Sequence, residues 1–133
     1  MVVASGEGLP VGVHVASASP HETTLIEAAL DRATLPDAEK THLVADRGYD
    51  ADPLRDRLAE RGIELVCPHR QNRTKPKRQD GRKLRRYRHR WIVERTIAWL
   101  QNFRRIVIRW ERNSNIYRAF IHVACIMILV KRF

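Results

Sequence analysis

The sequence is poor in cysteine, has no apolar run long enough for a membrane helix, and holds few acidic residues in its second half. Its two cysteines, Cys67 and Cys125, are isolated, which argues against a disulfide framework and fits a reduced, cytosolic setting. An apolar run near the C-terminus, residues 119–130, has 12 residues and predicts a buried helix rather than a membrane span. Residues 1–20 lack both a basic start and an apolar block, so no signal peptide is expected.

The shortage of acidic residues gives the two halves of the chain opposite charges. The whole chain carries 25 Lys and Arg against 15 Asp and Glu, a net charge of +10. Residues 1–68 hold 6 basic and 12 acidic residues, whereas residues 69–133 hold 19 and 3, a net of +16. Such a basic half most often binds nucleic acid, although a solvated basic face is the simpler alternative. The length of 133 residues predicts about one domain.

The first third of the chain predicts two strands and a helix. Residues 1–19 contain two short apolar stretches around a Gly/Pro turn, and the second stretch alternates valines at period two. A helix is predicted over residues 19–35, where apolar residues form one stripe and Ser19 or Thr23 could cap the first turn.

The middle of the chain predicts a strand, a helix and a second strand. Residues 41–45 form a short apolar run, and a helix is predicted over residues 50–62 with Asp50 or Asp52 as its cap. Residues 63–68 predict the next strand. Alternation of strands and helices is typical of an α/β sheet that contains parallel strands.

The basic half predicts a loop followed by helices. Residues 70–86 are dense in Lys and Arg and lack apolar periodicity, so they predict a mobile loop. Helical periodicity returns at Arg86 and continues over residues 86–133, with a break and a cap at residues 113–115. Four aromatic residues and one histidine on these helices are expected in the core: Trp91, Trp99, Phe103, Trp110 and His122.

Two carboxylates are placed where chemistry could occur. Asp46 follows the strand at 41–45, and the carboxyl ends of such strands are where ligands of open α/β sheets usually bind. At about 100° per residue, a helix from Arg86 places Tyr87, Arg90 and Glu94 on one polar face. Carboxylate oxygens suit Mg²⁺ or Mn²⁺, and beside a basic surface they suit phosphodiester chemistry. A capping Asp and a surface ion pair of Glu are the alternatives.

Two segments resemble the catalytic domain of bacterial DDE insertion-sequence transposases. They are "HLVADRGYDADPLRDRLAERGIELVCPHR" and "YRHRWIVERTIAWLQNFRRIVIRWERNSNIYRAFIHVACIMILVKR". The family pattern of a tyrosine, two residues, an arginine, three residues and a glutamate matches Tyr87, Arg90 and Glu94. Further along, Gln101 stands where the family often has Lys or Arg, whereas Arg104 and Arg105 match basic residues seen in many members.

The resemblance implies a ribonuclease-H-like fold, a mixed sheet flanked by helices, with three metal-binding carboxylates. Asp46 looks like the second acidic residue and Glu94 like the third, with Mg²⁺ or Mn²⁺ as the cofactor. The first acidic residue is expected upstream. Residues 1–133 are therefore expected to be the C-terminal part of a catalytic domain, truncated at its N-terminus, inactive alone, and either a gene remnant or a product of a split gene.

The resemblance also implies the partners. DNA, as the ends of the element and its target, is the expected substrate, in a bacterial cytoplasm and associated with the nucleoid. An upstream transposase polypeptide or a second copy would cover an exposed apolar face. Tyr87 and Arg90 would orient Glu94 or touch a phosphate. Ten further basic residues are expected to contact the DNA backbone: Arg73, Lys75, Lys77, Arg78, Arg82, Lys83, Arg85, Arg86, Arg104 and Arg105.

Two alternative functions stay open on the sequence. One is a non-catalytic, basic DNA-binding remnant of the same fold. The other is a stand-alone nuclease, which would need a third carboxylate from Glu7 or Asp50. Salt-dependent, sequence-independent DNA binding that is unaffected by Asp46→Ala or Glu94→Ala would favour the DNA-binding remnant. In a complete transposase, removing either residue should abolish metal-dependent cleavage.

Overall fold

The computed structural model is a mixed α/β structure with five α-helices and two small sheets, and it describes residues 1–17, 19–35, 40–79 and 81–132. The predicted α/β class is confirmed. The described strands form two separate two-stranded sheets, one antiparallel and one parallel, and the single mixed sheet of a ribonuclease-H-like fold stays a prediction. The chain divides into two compact units, Met1–Thr34 with Trp91–Phe133, and Leu35–Arg90.

The sheet of the first unit is a short antiparallel hairpin. Strand β1 (Val2–Ala4) pairs with β2 (Pro10–Val13), with Val2 opposite Val13. The hydroxyl oxygen of Ser5 accepts hydrogen bonds from two backbone N–H groups of the intervening turn, at 3.1 and 3.3 Å. The two predicted strands and their turn are confirmed.

Helix α1 (Glu22–Leu30) packs on the first unit through the apolar stripe that the sequence predicts. Ile26, Ala29 and Leu30 are buried. The predicted caps, Ser19 and Thr23, are wrong. The helix begins after His21, whose ring Nδ1 accepts the hydrogen bond from the backbone N–H of Thr23 at 3.3 Å, so an imidazole replaces the usual hydroxyl or carboxylate.

Three helices complete the first unit, namely α3 (Trp91–Gln101), α4 (Arg104–Val107) and α5 (Ser114–Val130). The predicted cap of the last helix is confirmed, since the side chain of Asn113 accepts a hydrogen bond from the N–H of Asn115 at 2.9 Å. A cluster of buried side chains from α3, α5 and β2 forms a core of this unit: Val13, Leu100, Ile121, Ala124, Cys125 and Ile128.

The predicted burial of the C-terminal helix is only half correct. One face of α5 lies in the core, but its other face is exposed, with Val123 at 53% and Val130 at 70%. His122, Trp91 and Trp110 are likewise exposed rather than in the core, whereas Trp99 and Phe103 pack against it. None of the helices in the described part of the chain is long and apolar enough to span a membrane.

The second unit is built on a parallel strand pair joined by a helix. Strands β3 (Thr41–Val44) and β4 (Ile63–Val66) pair in register from Thr41 opposite Ile63. Helix α2 (Asp52–Glu60) connects them and buries Leu54 and Leu58 completely. Gly62, with a φ of 71°, ends the turn after α2 in the conformation that favours glycine. This strand–helix–strand prediction is confirmed.

The predicted side-chain cap of α2 is wrong. Ala51 occupies the cap position and makes no side-chain hydrogen bond to the helix. Asp52 is the first helical residue, and Pro53 stands in the first turn as expected. Asp50 is turned away to other partners, which are described below with the site.

Each unit buries one free cysteine. Cys67 follows β4 in the second unit, and Cys125 lies on α5 in the first. Burial raises the pKa of the Cys67 thiol to about 11, although Arg55 donates a hydrogen bond to its Sγ at 2.9 Å. Burial also raises the pKa of Cys125. Both thiols are therefore protonated at neutral pH.

Candidate functional site

Asp46 lies at the carboxyl end of β3, where the sequence predicts it. Its Oδ1 accepts a hydrogen bond from the N–H of Gly48 at 2.8 Å and so caps the 3₁₀ turn Arg47–Tyr49. A Cβ on Gly48 would come within 2.9 Å of that same oxygen, so a larger residue there would displace the Asp46 carboxylate from its capping position. One oxygen of Asp46 therefore acts as a helix cap, the role that the sequence offered as the alternative to metal binding. The second oxygen makes no hydrogen bond or ion pair with the described residues, and the residue is half-buried.

Asp50 is the most constrained carboxylate of the second unit. Its side chain is 1% exposed, and its oxygens accept hydrogen bonds from Arg55 at 3.0 Å, from His69 Nδ1 at 3.0 Å and from the N–H of Arg70 at 2.9 Å. Arg73 Nη1 lies 3.5 Å away. Burial alone would raise the pKa of Asp50, but these hydrogen bonds outweigh burial and lower the pKa to about 2. Asp50 is thus an ionised structural acceptor and a poor candidate for a third metal ligand.

Arg70, at the start of the basic loop, is hydrogen-bonded to the turn that follows Asp46. Its guanidinium donates hydrogen bonds to the carbonyl of Gly48 at 2.7 Å and to that of Arg47 at 3.3 Å. Its backbone N–H is one of the donors to Asp50. Sequence reasoning missed this arrangement, because the partners are separated by 20 to 23 residues and follow no periodic pattern.

The basic loop of residues 70–86 is irregular as far as Lys83, as predicted, apart from Asp80, which lies outside the described residues. Its side chains are tied to carboxylates of α2 and β4 rather than left free. Arg73 contacts Asp52 at 2.8 and 3.0 Å. Four of the predicted DNA contacts have acidic partners within the unit: Arg73, Lys75, Arg78 and Lys83.

Two carboxylates that hold the loop titrate at lower pH as a result. The hydrogen bond from Arg73 is the main reason that the pKa of Asp52 is lowered. The hydrogen bond from Lys83 is the main reason that the pKa of Glu64 is lowered. Lys77, Arg82, Arg85 and Arg86 are exposed.

Tyr87 and Arg90 do not lie on an α-helix, and the projection at 100° per residue is wrong for them. They belong to the 3₁₀ helix Lys83–Arg90, which has about three residues per turn. Leu84, Tyr87 and Arg90 are its half-buried residues, at a spacing of three, so burial follows the 3₁₀ period. Arg90 stacks over the Tyr87 ring, with its guanidinium carbon 5.8 Å from the ring centroid.

Glu94 lies in the first turn of α3, where a negative charge is favourable, and it is exposed. The two residues after it attach α3 to the β1–β2 turn. Arg95 donates to the carbonyl of Glu7 at 2.7 Å, and the buried hydroxyl of Thr96 donates to that of Gly8 at 2.7 Å. Sequence reasoning also missed these contacts, although a Thr on the inner face of a helix is a usable signal.

The carboxylates of the site are thus positioned separately. Asp46 belongs to the second unit and Glu94 to the first, and their convergence stays a prediction. The described ranges contain no group of three His, Cys, Asp or Glu side chains that could hold a metal ion. Glu7, the other candidate third acid, lies in the exposed β1–β2 turn. Arg104 and Arg105 are exposed on α4, and Arg105 pairs with Glu111 at 2.9 Å.

Comparison with known proteins gives consistent results. Residues 1–129 match the family model described as "Transposase DDE domain". The chain is 34% identical over 134 residues to a proposed transposase for insertion sequence element IS402 of Burkholderia cepacia, covering 96% of this chain and 60% of that protein. It is 32% identical over 92 residues to a proposed transposase for IS6501 of Brucella ovis, covering 68% of each. The chain thus spans about 60% of the length of the IS402 relative. No solved structure matches it significantly.

Proposed function

This chain belongs to the DDE transposase family, and on that premise we propose that it serves DNA transposition as the C-terminal part of a catalytic domain. The observation that carries the proposal is the match to the family model over residues 1–129. Residues 70–86 would be its basic loop and residues 86–133 its helical segment. The complete domain would be ribonuclease-H-like, and the parallel β3–α2–β4 arrangement is compatible with that sheet.

Members of this family generally use divalent metal ions, and we propose Mg²⁺ or Mn²⁺ bound by Asp46 and Glu94. The donor chemistry fits, because both are carboxylates and Asp46 retains an oxygen without a described partner. Divalent ions in such sites activate an attacking hydroxyl and stabilise the leaving oxygen of a phosphodiester. A third carboxylate from another segment would complete the set.

The residues around each carboxylate would keep it in position. Arg70 and Asp50 hold the turn that begins at Asp46. Arg95 and Thr96 hold the first turn of α3, which carries Glu94. A carboxylate on a fixed turn loses less conformational entropy when it binds a cation, so these contacts would raise metal affinity.

Transposases act on DNA, and we propose that Tyr87, Arg90 and the exposed basic residues contact its backbone. Arginine suits this role because its planar group binds two phosphate oxygens at once. The exposed residues Lys77, Arg82, Arg85, Arg86 and Arg104 are the accessible candidates. Arg73, Lys75, Arg78, Lys83 and Arg105 would have to exchange an existing carboxylate partner for a phosphate.

We also propose a protein partner, either an upstream transposase polypeptide or a second copy, on the outer face of α5. Five of its six large exposed hydrophobic residues follow a spacing of four, three, four and three, which is the seam of a coiled coil: Ile116, Phe120, Val123, Met127 and Val130. The sixth, Ile126, lies beside that seam. A charge at Val123 would disrupt this seam without touching the core. Sedimentation of the wild type and of Val123→Glu tests the second copy, because a dimer that is lost in the variant supports it and a monomeric wild type rules it out.

The central experiment measures metal binding and DNA cleavage separately. Mn²⁺ binding to the purified chain is followed by electron paramagnetic resonance, for the wild type, Asp46→Asn and Glu94→Gln. We expect weak Mn²⁺ binding that either substitution abolishes, while Asp56→Asn, a change at an exposed acid of α2, leaves it intact. Loss of binding in the control as well would contradict the assignment.

Cleavage of element-end DNA with Mg²⁺ is then measured for the chain alone. We propose that it is inactive, because Asp50 is occupied by Arg55 and His69 and cannot serve as a third ligand. Nicking by the pure chain, lost in Glu94→Gln, would refute the incomplete-site proposal. DNA binding without Mn²⁺ binding, unchanged in Asp46→Asn, would instead favour the non-catalytic DNA-binding alternative.

A further inference from the structure

A groove in the first unit lies outside all of the predicted site residues. It has a volume of about 500 Å³ and is bordered by β2, by Arg32 shortly after α1, and by the N-terminal half of α5. Its lining combines a small apolar part with basic and amide side chains: Val13, Arg32, Asn115, Arg118, Ala119 and His122. A pocket of this size accommodates a small polar ligand or one nucleotide.

The charge of the groove is positive and not neutralised by carboxylates. Arg32 donates a hydrogen bond to Nδ1 of His14, and Arg118 donates one to the amide oxygen of Asn115 at 3.1 Å. Neither arginine forms an ion pair with a carboxylate of the described residues, and no acidic residue lines the groove. The basic loop of the second unit differs, because Arg73, Lys75, Arg78 and Lys83 all have acidic partners.

The three basic residues are arranged to meet one anion. Arg118 and His122 are four residues apart on α5, so they lie on the same side of the helix, and Arg32 approaches from another element. Both guanidinium groups are already fixed by one neutral acceptor each, which leaves other N–H groups for a ligand. Paired N–H groups of arginine match two oxygens of a phosphate.

We propose that this groove binds a phosphodiester group of DNA, through Arg32 and Arg118 with His122 beside them. The inference rests on the proposed function in its choice of DNA as the source of the phosphate. It extends that function, because it places a backbone contact in the groove beside β2 and α5, on residues that the family pattern does not include. Both arginines have uncharged partners. Phosphate binding therefore costs less free energy here than at the loop residues whose ion pair must first be broken.

The test measures the salt dependence of DNA binding by fluorescence anisotropy, with a labelled 20-base-pair duplex and the corresponding single strand. Each lost phosphate contact lowers the slope of log affinity against log salt by about 1. We expect this decrease for Arg32→Ala and for Arg118→Ala. Lys131→Ala is the matched control, since it removes one charge from the end of the same helix, about 20 Å from Arg118. Equal decreases in all three variants would overturn the proposal.

A second measurement separates this groove from the proposed function. The amide signals of Val13, Ala119 and His122 are followed by NMR while the dinucleotide pTpT is added to the wild type. Shifts that disappear in Arg118→Ala and return in part in Arg118→Lys support the groove, even if the duplex does not bind and the proposed function fails. Duplex binding without any shift of these signals overturns the groove and leaves the proposed function standing. Unchanged circular dichroism melting confirms that each variant is folded.

Discussion

The two units of this protein treat their positive charges in different ways. In the second unit, most arginines and lysines with a described partner pair with carboxylates, as Arg55 does with Asp50 and Arg78 with Asp56. In the first unit, stacking on aromatic rings is the commoner contact, and even Arg105, which pairs with Glu111, also lies over the ring of Phe120. Arg95 lies 4.7 and 4.8 Å from the rings of Trp91 and Trp99, and Arg132 lies 4.2 Å from Trp99.

This difference has an electrostatic consequence. An ion pair cancels the field of a basic side chain, whereas an aromatic ring holds the cation in place and leaves its charge unneutralised. A count of basic residues along the sequence therefore overstates the positive potential of the loop and understates that of the first unit. We expect the three changes below to separate the two modes, beginning with the largest effect.

Replacing Asp50 with alanine should produce the largest loss of stability. The change leaves the buried guanidinium of Arg55 without its carboxylate partner, a type of loss that costs about 3–5 kcal/mol. Urea unfolding, monitored by the amide signals of the second unit, measures the difference in free energy. Asp56→Ala removes an exposed acid from the same unit and should leave stability unchanged within error. A small effect of Asp50→Ala would mean that ion pairing does not organise this unit.

Acidification should destabilise the second unit through Asp50. Because the pKa of Asp50 is about 2 in the folded unit and 3.8 without its partners, the carboxylate contributes its full stability only above about pH 5. As the pH falls from about 5 to about 2, the unfolded chain takes up the proton first, and about 2 kcal/mol of stability is lost. Amide hydrogen exchange of Leu65 and Val66 should accelerate over this range. Exchange that is independent of pH, after correction for its intrinsic rate, would contradict the lowered pKa.

Replacing Arg95 with alanine should have a smaller effect, confined to the first unit. The change removes stacking on two tryptophans and the hydrogen bond to Glu7, together worth about 1–2 kcal/mol. Tryptophan fluorescence during urea unfolding measures it, because all three tryptophans lie in this unit. Arg95→Lys keeps the charge and should recover part of the loss. Arg112→Ala, at an exposed arginine, is the control, and an equal loss there would rule out a stacking contribution.

Prediction from sequence succeeded where a local pattern determines the structure. The β3–α2–β4 arrangement follows from two apolar runs, a helical stripe and Gly62, all within 26 residues of sequence. The role of Asp50 could not be read in this way. The donors from His69 and Arg70 reach its carboxylate only after the chain returns from β4, and no periodicity of the sequence indicates this contact.

Two other errors share a physical origin in packing. The apolar run of α5 looks buried from its composition, but composition cannot say how many faces of a helix find neighbours. The segment Lys83–Arg90 offers only Leu84 and Tyr87 as apolar contacts, three residues apart, and so a 3₁₀ period fits it better than an α-helical one. The convergence of Asp46 and Glu94 is not among these errors. The two residues lie in different units, and their convergence stays a prediction.

Because each unit buries one cysteine, the two thiols report separately on the local opening of the two units. An alkylating reagent can reach Cys67 only when the second unit opens, and Cys125 only when the first does. Peptide mass analysis after timed exposure would assign each modification to its thiol, and the two rates give an opening free energy for each unit. With added urea or acid, the same measurement would show whether one unit unfolds while the thiol of the other unit is still protected from alkylation.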